Sequence, residues 1–408
     1  MTTYKWQFVA RFRYHAFGWQ SDKPIQRIKE ALSEIKRVAK KEPELAAAGA
    51  VLFLEKIAPA IEQVDSSSGA IGSMVNRAIE TLVPIIAKAK VEQPVRDRWL
   101  DRLWDAIQND QMPYIESLGD YWGDLCATPE TASRWADEFM PVIERMWSPQ
   151  SSGHGHFSGM TACFSALYTA GRYQDLLTLL DKAPFNLWWN RRWGVKALVA
   201  MGKKAEAIRY AENNKDLNDP VSAIARTCEE ILLSSGLFDE AYNRYALEAN
   251  QGTTYLATFR AIVKKYPHKS AADILRDLVA NQPGSEGKWF AAAKDAGLFD
   301  LAIELVNQSP TDPRTLVRAA RDYAEQQPGF AVSAGLTALY WMSQGYGYQI
   351  TATDVLDAYK SLMLAANHAG IAETEIKARI QETLGEKTPS NTFMFSALNY
   401  LLSVKCLI

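Results

Sequence analysis

The sequence has few of the signals that mark a β-sheet. Alternating runs of β-branched residues are scarce among its 408 residues, and neither Asn-Gly nor Asp-Gly, the usual hairpin turns, occurs. Helical spacing is common instead. Ile224, Cys228 and Ile231 fall three and four apart on one face of a helix, which turns Glu229 and Glu230 toward water. The sequence therefore predicts an all-α fold.

Cysteine is also scarce, and it shows no pairing rhythm. The four cysteines are Cys126, Cys163, Cys228 and Cys406. Their wide spacing, without any CxxC, fits a reducing compartment in which cysteines are mostly small buried apolar residues. We therefore expect no disulfide framework and a cytoplasmic location.

No apolar run is long enough to cross a bilayer. The longest weakly polar stretch, Gly329 to Met342, is too short and contains Ser333 and Thr337. The N-terminus has basic residues but lacks the apolar core of about 7–15 residues that a secretory signal needs. The formal net charge is only -2. We expect neither a membrane span nor a partner selected by strong overall charge.

Motifs of the common nucleotide and metal enzymes are missing as well. There is no Walker loop, no GxGxxG after a strand, no HExxH and no kinase signature. Asp120 and Asp124 stand four apart in the string GDYWGDL and share a helix face, a pattern more typical of a solvated helix than of an acid–base pair. We therefore expect no enzyme activity and no cofactor.

One histidine pair leaves an alternative open. His154 and His156 flank a glycine in a Gly-rich loop that can turn two imidazoles toward a metal. Zinc needs further ligands, and no histidine, cysteine or carboxylate cluster follows at a recognised spacing, so we assign no metal site. The alternative is a metal-dependent enzyme with its site near His154, which predicts a stoichiometric metal in purified protein.

The strongest positive signal is repetition. Four segments share a glycine that ends one helix, an aromatic or long residue two positions on, and a small residue that opens the next helix. Their glycines are Gly171, Gly202, Gly236 and Gly297, at spacings of 31, 34 and 61 residues. The last interval is close to two repeats, and Ala271 follows Tyr266 by five residues near its midpoint. A period in the low thirties predicts two-helix repeats.

The shared positions have physical reasons. Glycine enters the left-handed conformation at little cost, so it ends the first helix. Ala241 and Ala302 are small because two helices must approach closely there, and Phe238 and Phe299 are expected to fill the gap beside them. Each pair then leaves an apolar face that only a neighbouring pair can cover, so the pairs stack.

The string GLFDEA from Gly236 to Ala241 resembles the turn and the start of the second helix in the tetratricopeptide repeat (TPR). The strings that begin at Gly297, Gly171 and Gly202 resemble it in decreasing order, and the resemblance covers residues 157–365. It implies an α-solenoid of antiparallel helix pairs, and a protein that holds partner proteins. No binding residue is carried over from the family.

The first 150 residues show helical patterns without a clear period. Helices are predicted at residues 23–41, 44–63, 70–90, 94–109, 112–125 and 129–146. Thr128 before Pro129 is a good helix start, because threonine caps and proline suits the first turn. Residues 148–159 are rich in Gly and Ser and predict a linker. We therefore predict an irregular or HEAT-like helical domain at residues 1–150 and a TPR-like domain at 151–408.

Tryptophan and arginine are concentrated in one short stretch. Its five members are Trp188, Trp189, Arg191, Arg192 and Trp193. These two residue types dominate binding hot spots, so the stretch predicts a partner-binding surface if the side chains are exposed. If they pack between helix pairs, the tryptophans are large core residues. The favoured function is a protein-binding scaffold or adaptor.

The N-terminal segment supports a second hypothesis. Residues 1–41 contain ten Lys or Arg against three acids, and six of the seven aromatic residues in this range, from residue 6 onward, are interleaved with them. They are Trp6, Phe8, Phe12, Tyr14, Phe17 and Trp19. Basic residues follow phosphates and rings stack on bases, so the chain is alternatively a nucleic-acid-associated factor. This hypothesis predicts salt-dependent binding that falls when Arg11, Arg13 and Lys36 are neutralised.

Overall fold

A computed structural model describes residues 4–148, 157–214, 220–386 and 392–403. Within these ranges the chain is helical and has no β-strand, which confirms the all-α prediction. Consecutive helices pack in adjacent pairs, as expected of a helical repeat fold. The chain divides into two compact units, unit 1 at residues 1–220 and unit 2 at residues 221–408. The sequence placed a boundary at residue 150, but α6 and α7, which flank the undescribed residues 149–156, pack against each other inside unit 1.

The described part of unit 1 contains ten α-helices and 3-10 helices at Phe8–Ala10 and Glu116–Tyr121. The α-helices are α1 (Asp22–Ala39), α2 (Pro43–Ile61), α3 (Ala70–Ala87), α4 (Gln93–Gln108), α5 (Trp122–Cys126), α6 (Pro129–Met146), α7 (Met160–Thr169), α8 (Tyr173–Asp181), α9 (Trp188–Ala200) and α10 (Lys204–Asn213). The helix start at Thr128 is confirmed, because its side chain accepts a hydrogen bond from the N–H of Thr131 at 3.2 Å.

Five of the six helices predicted for the first 150 residues agree with the structure to within three residues. The sixth, at 112–125, is wrong in its first half. The carboxylate of Asp110 accepts hydrogen bonds from the N–H groups of Met112 and Ile115, at 3.3 and 2.7 Å. These bonds compete with helix formation, so the segment turns and then continues as the 3-10 helix and α5.

The N-terminal aromatic residues form part of the core of unit 1. Phe8 and Phe12 lie edge-on to Phe53 of α2, with ring centroids 5.4 and 5.0 Å apart. Trp6 lies against Gly49, where a Cβ atom would overlap the indole ring. Eleven of the 19 residues of α2 are buried, and the N-terminal segment supplies part of the cover that this broad apolar surface needs.

The glycines of the string GDYWGDL lie against α7. Gly123 donates its N–H to the Oγ of Ser165 at 3.0 Å, and that hydroxyl donates to the carbonyl of Asp120 at 3.1 Å. A Cβ atom on Gly119 would overlap Thr161, and one on Gly123 would overlap the Ser165 carbonyl. The two glycines therefore allow α7 to approach the backbone of this segment closely.

One helix, α3, has the length and apolar composition of a membrane span. Eight of its 18 residues are buried inside unit 1, which is also what a core helix of a folded unit shows. The expectations of no membrane span and of a cytoplasmic location therefore stay predictions.

The described part of unit 2 contains eleven α-helices and a 3-10 helix at Glu286–Trp289. The α-helices are α11 (Val221–Leu233), α12 (Phe238–Ala249), α13 (Tyr255–Lys265), α14 (Ala271–Ala280), α15 (Phe290–Asp295), α16 (Phe299–Gln308), α17 (Pro313–Asp322), α18 (Pro328–Ser343), α19 (Ala352–His368), α20 (Glu373–Leu384) and α21 (Thr392–Ser403). Ala241 and Ala302 are fully buried at helix contacts, as predicted. Phe238 is 48% exposed with its ring edge-on to His268, so it does not fill the expected gap.

The four repeat glycines end helices in the left-handed conformation. Gly171, Gly202, Gly236 and Gly297 have φ values of 71°, 78°, 75° and 73°. In each turn the residue after the glycine donates its N–H to the carbonyl five residues back, as Leu237 does to Leu232 at 3.0 Å. These bonds satisfy carbonyl groups that the helix end would leave without partners, and the prediction that glycine ends each first helix is confirmed.

Two further turns of this kind were not predicted. Gly345 and Gly370 have φ values of 82° and 69°, and the residues that follow them bond back to Trp341 and Ala366 at 3.0 Å. Gly370 joins α19 to α20, so the repeated turn extends beyond the glycines that the sequence pattern selected. The aromatic or long residue two positions after the glycine, which is part of the pattern, is absent after Gly370, where Ala372 stands.

Replacing Gly236 by alanine should destabilise unit 2 by about 1 kcal/mol, because a Cβ atom is disfavoured at positive φ. Urea unfolding followed by circular dichroism measures the change. Gly329 in the first turn of α18 is the matched control, since no atom lies near its would-be Cβ and its φ is not positive. Equal losses for Gly236→Ala and Gly329→Ala would contradict the assignment.

A buried carboxylate organises the first repeats of unit 2. Glu229 of α11, predicted to face water, is fully buried. Its Oε1 accepts from the hydroxyl of Tyr266 at 2.6 Å and from Asn250 at 2.7 Å, and its Oε2 lies 2.6 Å from the ammonium of Lys265. Burial and the bond to Glu229 raise the pKa of Tyr266. The prediction failed because these partners lie at the C-terminal ends of α12 and α13, 21–37 residues further along the chain.

Candidate functional site

Helix α9 presents the tryptophan- and arginine-rich stretch in two directions. Trp188, Arg191 and Trp193 are buried, with 3%, 5% and 3% of their surface exposed. Trp189 is 59% exposed, and the side chain of Arg192 is 27% exposed. Only Trp189 and Arg192 of the five predicted binding residues therefore reach solvent; the other three pack within unit 1.

The buried arginine holds α9 in place. Arg191 donates hydrogen bonds to the hydroxyl of Tyr210 on α10 at 3.0 Å and to Asn186 in the preceding loop at 2.6 Å. Its guanidinium also lies 5.9 Å from the centre of the Tyr210 ring. Arg191 thus connects α9 to its repeat partner and to the loop that leads into it, which sets the direction in which Trp189 points.

Arg192 holds the exposed tryptophan. Its Nη2 lies 2.6 Å from a carboxylate oxygen of Asp120, and its Nε donates to the backbone carbonyl of Trp189 at 3.1 Å. The guanidinium carbon is 5.6 Å from the Trp189 ring centre and 5.9 Å from that of Trp193. On the next turn the ammonium of Lys196 lies 4.1 Å from the Trp193 ring. Cations at such distances attract the faces of aromatic rings.

Asp120, first noted as half of a carboxylate pair, has a different role. Asp120 forms an ion pair with Arg192, which lies 72 positions further along the chain, and Arg192 in turn contacts the exposed indole of Trp189. The ion pair thereby orients the indole. Asp120 lies at the end of the 3-10 helix and Asp124 in α5. The structure therefore gives Asp120 a positioning role that the local spacing did not reveal.

An apolar cleft opens beside Trp189. Its volume is about 500 Å³, and eight of its twelve lining residues are apolar. They are Trp147, Phe157, Met160, Ala183, Pro184, Phe185, Leu187 and Trp189. The remaining four are Glu116, Ser158, Thr161 and Asn190, so among the described residues the lining contains one acid and no base. Such a cleft accepts apolar side chains and disfavours an acidic ligand.

Three large side chains at the cleft are exposed to an unusual degree. Phe185, Leu187 and Trp189 have 49%, 45% and 59% of their surface exposed. They occupy alternate positions in the segment that joins α8 to the first turn of α9. Sequence reasoning missed Phe185 and Leu187. The signal was a pair of large apolar residues in a loop next to Pro184 and Asn186, where turn residues normally bring polar neighbours.

The described cysteines are buried, and two of them are poor nucleophiles. Burial raises the pKa of the Cys126 thiol to about 12, and burial also raises the pKa of Cys163. Cys228 is buried too, and Cys406 lies outside the described residues. Thiols with raised pKa values stay protonated at neutral pH, so Cys126 and Cys163 act as small apolar core residues.

The basic aromatic segment offers fewer rings than its composition indicates. Four of the six aromatic residues from Trp6 to Trp19 are buried, and the other two, Tyr14 and Trp19, are 71% and 72% exposed. Arg11, one of the proposed phosphate contacts, forms an ion pair with Glu30 at 2.5 Å. The nucleic-acid hypothesis stays a prediction, and its stacking surface reduces to two rings.

The metal hypothesis near His154 also stays a prediction. Both His154 and His156 lie outside the described residues. In the part of the chain that the structure describes, no group of three or more histidines, cysteines or carboxylates is arranged to hold a metal ion.

Comparison with known proteins adds no family. No model of a known protein family matches the sequence, and no curated protein is significantly similar to it. The TPR resemblance therefore stays a prediction, whereas the all-α architecture of paired helices rests on the structure.

Proposed function

We propose that the protein is a helical-repeat scaffold that holds a partner protein, and that the partner inserts an apolar side chain into the cleft beside Trp189. The observation that carries the proposal is the exposed trio of Phe185, Leu187 and Trp189 around this cleft. Contiguous exposed apolar surface with a polar rim is characteristic of protein interaction sites.

The lining of the cleft indicates what the partner inserts. Eight of its twelve described residues are apolar. A large apolar side chain suits such a lining. The occupant we propose is therefore a segment of a partner protein that presents a large apolar residue.

Pre-organisation adds to the case. Because Arg192 is held by Asp120 and contacts the Trp189 ring, the indole loses little conformational freedom when a partner binds. Most exposed large side chains lack such support, and ordering them costs about 0.5–1.5 kcal/mol each. Trp189 is therefore pre-organised to act as a binding anchor.

Trp189→Ala should weaken partner binding at least tenfold, which corresponds to about 1.4 kcal/mol, and should leave thermal stability unchanged. Affinity capture from the native host, followed by mass spectrometry, identifies candidate partners. Isothermal titration calorimetry with the purified partner then measures the dissociation constants of the wild-type protein and the variant.

Two controls separate binding from folding. Trp19→Ala removes a tryptophan that is 72% exposed outside the cleft, and it should bind as the wild type does. Trp193→Ala removes a core residue and should lower stability by about 3–5 kcal/mol. A partner that binds the wild type and the Trp189→Ala variant equally would overturn the proposed site.

A further inference from the structure

Helix α17 of unit 2 has a basic face. Arg314, Arg318 and Arg321 stand at positions i, i+4 and i+7, so they lie along one side of the helix. The opposite side is buried through Leu316 and Ala320. This arrangement leaves a row of three exposed guanidinium groups beside α19.

Two of these arginines have carboxylate partners. Arg314 bonds both carboxylate oxygens of Asp354, at 2.8 and 3.1 Å, and this pairing holds the pKa of Asp354 well below its usual range. Arg321 bonds its neighbour Asp322 at 2.8 Å. Arg318 differs, because its recorded hydrogen bond is to the hydroxyl of Thr315 at 3.0 Å.

Like Arg318, Lys360 of α19 forms no ion pair with a carboxylate of the residues that the structure describes. It lines the same groove as Arg318, a depression of about 540 Å³ between α17 and α19. Four cations and two aspartates, Asp354 and Asp357, contribute to this lining, and Asp322 beside it pairs with Arg321, so one positive charge is in excess.

The groove also has an apolar part. Val317 and Met342 line it, and Leu364 is 45% exposed at its edge. A groove that combines excess positive charge with apolar side chains matches a ligand that carries both acids and apolar residues. A nucleic-acid backbone fits less well, because it has no apolar counterpart and would meet both aspartates.

We propose that the groove between α17 and α19 binds an acidic amphipathic segment of a partner protein, with its carboxylates on Arg318 and Lys360 and an apolar side chain on Leu364. This surface lies in unit 2 and is separate from the Trp189 cleft of unit 1. The Trp189 cleft has a mainly apolar lining and the groove has excess positive charge, so one scaffold can hold two different segments.

The test uses the full chain and a fluorescein-labelled peptide of about 16 residues, in which leucines at helical spacing alternate with glutamates. Fluorescence anisotropy measures its dissociation constant. We expect binding that weakens as salt rises from about 50 to about 500 mM. The double variant Arg318→Gln with Lys360→Gln, which removes both positive charges and keeps polar side chains, should bind at least tenfold more weakly.

Matched variants and ligands decide the outcome. Arg276→Gln removes an exposed arginine of α14 outside the groove and should bind the peptide as the wild type does, and so should Trp189→Ala. A peptide with serines in place of the leucines should bind more weakly. Equal binding of the double variant and the wild type would overturn the proposal. Binding of single-stranded DNA as tight as that of the peptide, and lost in the double variant, would instead show a phosphate-binding surface.

Discussion

Replacing Glu229 by alanine should lower the free energy of unfolding by about 3 kcal/mol. Three donors converge on this fully buried carboxylate, and Tyr266 is itself fully buried. Removing one member of a buried ion pair typically costs about 3–5 kcal/mol. We expect the lower end of this range, because the Lys265 side chain is 30% exposed and its ammonium can regain water. Urea unfolding followed by circular dichroism measures the loss.

Two variants show whether the network or the mere loss of an acid is responsible. Glu229→Gln keeps the volume and one acceptor oxygen for Tyr266 and Asn250, so it should lose about half as much stability. Glu230→Ala changes the exposed neighbour and should cost less than about 0.5 kcal/mol. If Glu229→Ala and Glu230→Ala lost the same amount, the buried network would not be stabilising α11.

Gly123→Ala should destabilise unit 1 by about 3 kcal/mol, near the upper end for overpacking. Its new Cβ atom would overlap the Thr169 hydroxyl and the backbone carbonyl of Ser165, and a helix backbone cannot move aside as a flexible side chain can. The shift would also strain the 3.0 Å bond from the Gly123 N–H to the Ser165 hydroxyl. Thermal and urea unfolding measure the effect.

Gly72→Ala is the matched control in the same unit. Gly72 lies in α3, and no atom lies within 4 Å of the position that its Cβ would take. Alanine also has the higher helix propensity, so this variant should be neutral or stabilising by up to about 1 kcal/mol. A Gly123→Ala variant as stable as Gly72→Ala would show that α5 and α7 do not meet as described.

The helices and their turns followed from sequence because their causes are local. The helix start at Thr128 depends on a side chain and an N–H group three residues apart, and the turn at Gly236 on the φ that glycine alone adopts cheaply. One helix start was predicted wrongly, because the Asp110 carboxylate accepts a hydrogen bond from the backbone N–H of Ile115, just before the 3-10 helix.

The sequence predicted only part of the candidate site. The sequence pointed to the stretch from Trp188 to Trp193, and α9 does carry the exposed indole. The composition of this stretch does not indicate which side chains are exposed. Helical positions one residue apart point in different directions, so Trp189 is exposed while its neighbours are buried. Phe185 and Leu187 were missed because their exposure depends on the cleft that residues from α7 and the 3-10 helix complete.

The sequence by itself determined that this protein is helical, where five helices of its first 150 residues begin and end, and four of the glycines that turn one helix into the next. These features depend on interactions within about five residues. Tertiary structure alone decided which charges are buried and which aromatic residues are exposed. Glu229 is inside because donors from two later helices meet it, and Trp189 is held at the surface because Asp120, 69 positions earlier, anchors the adjacent Arg192.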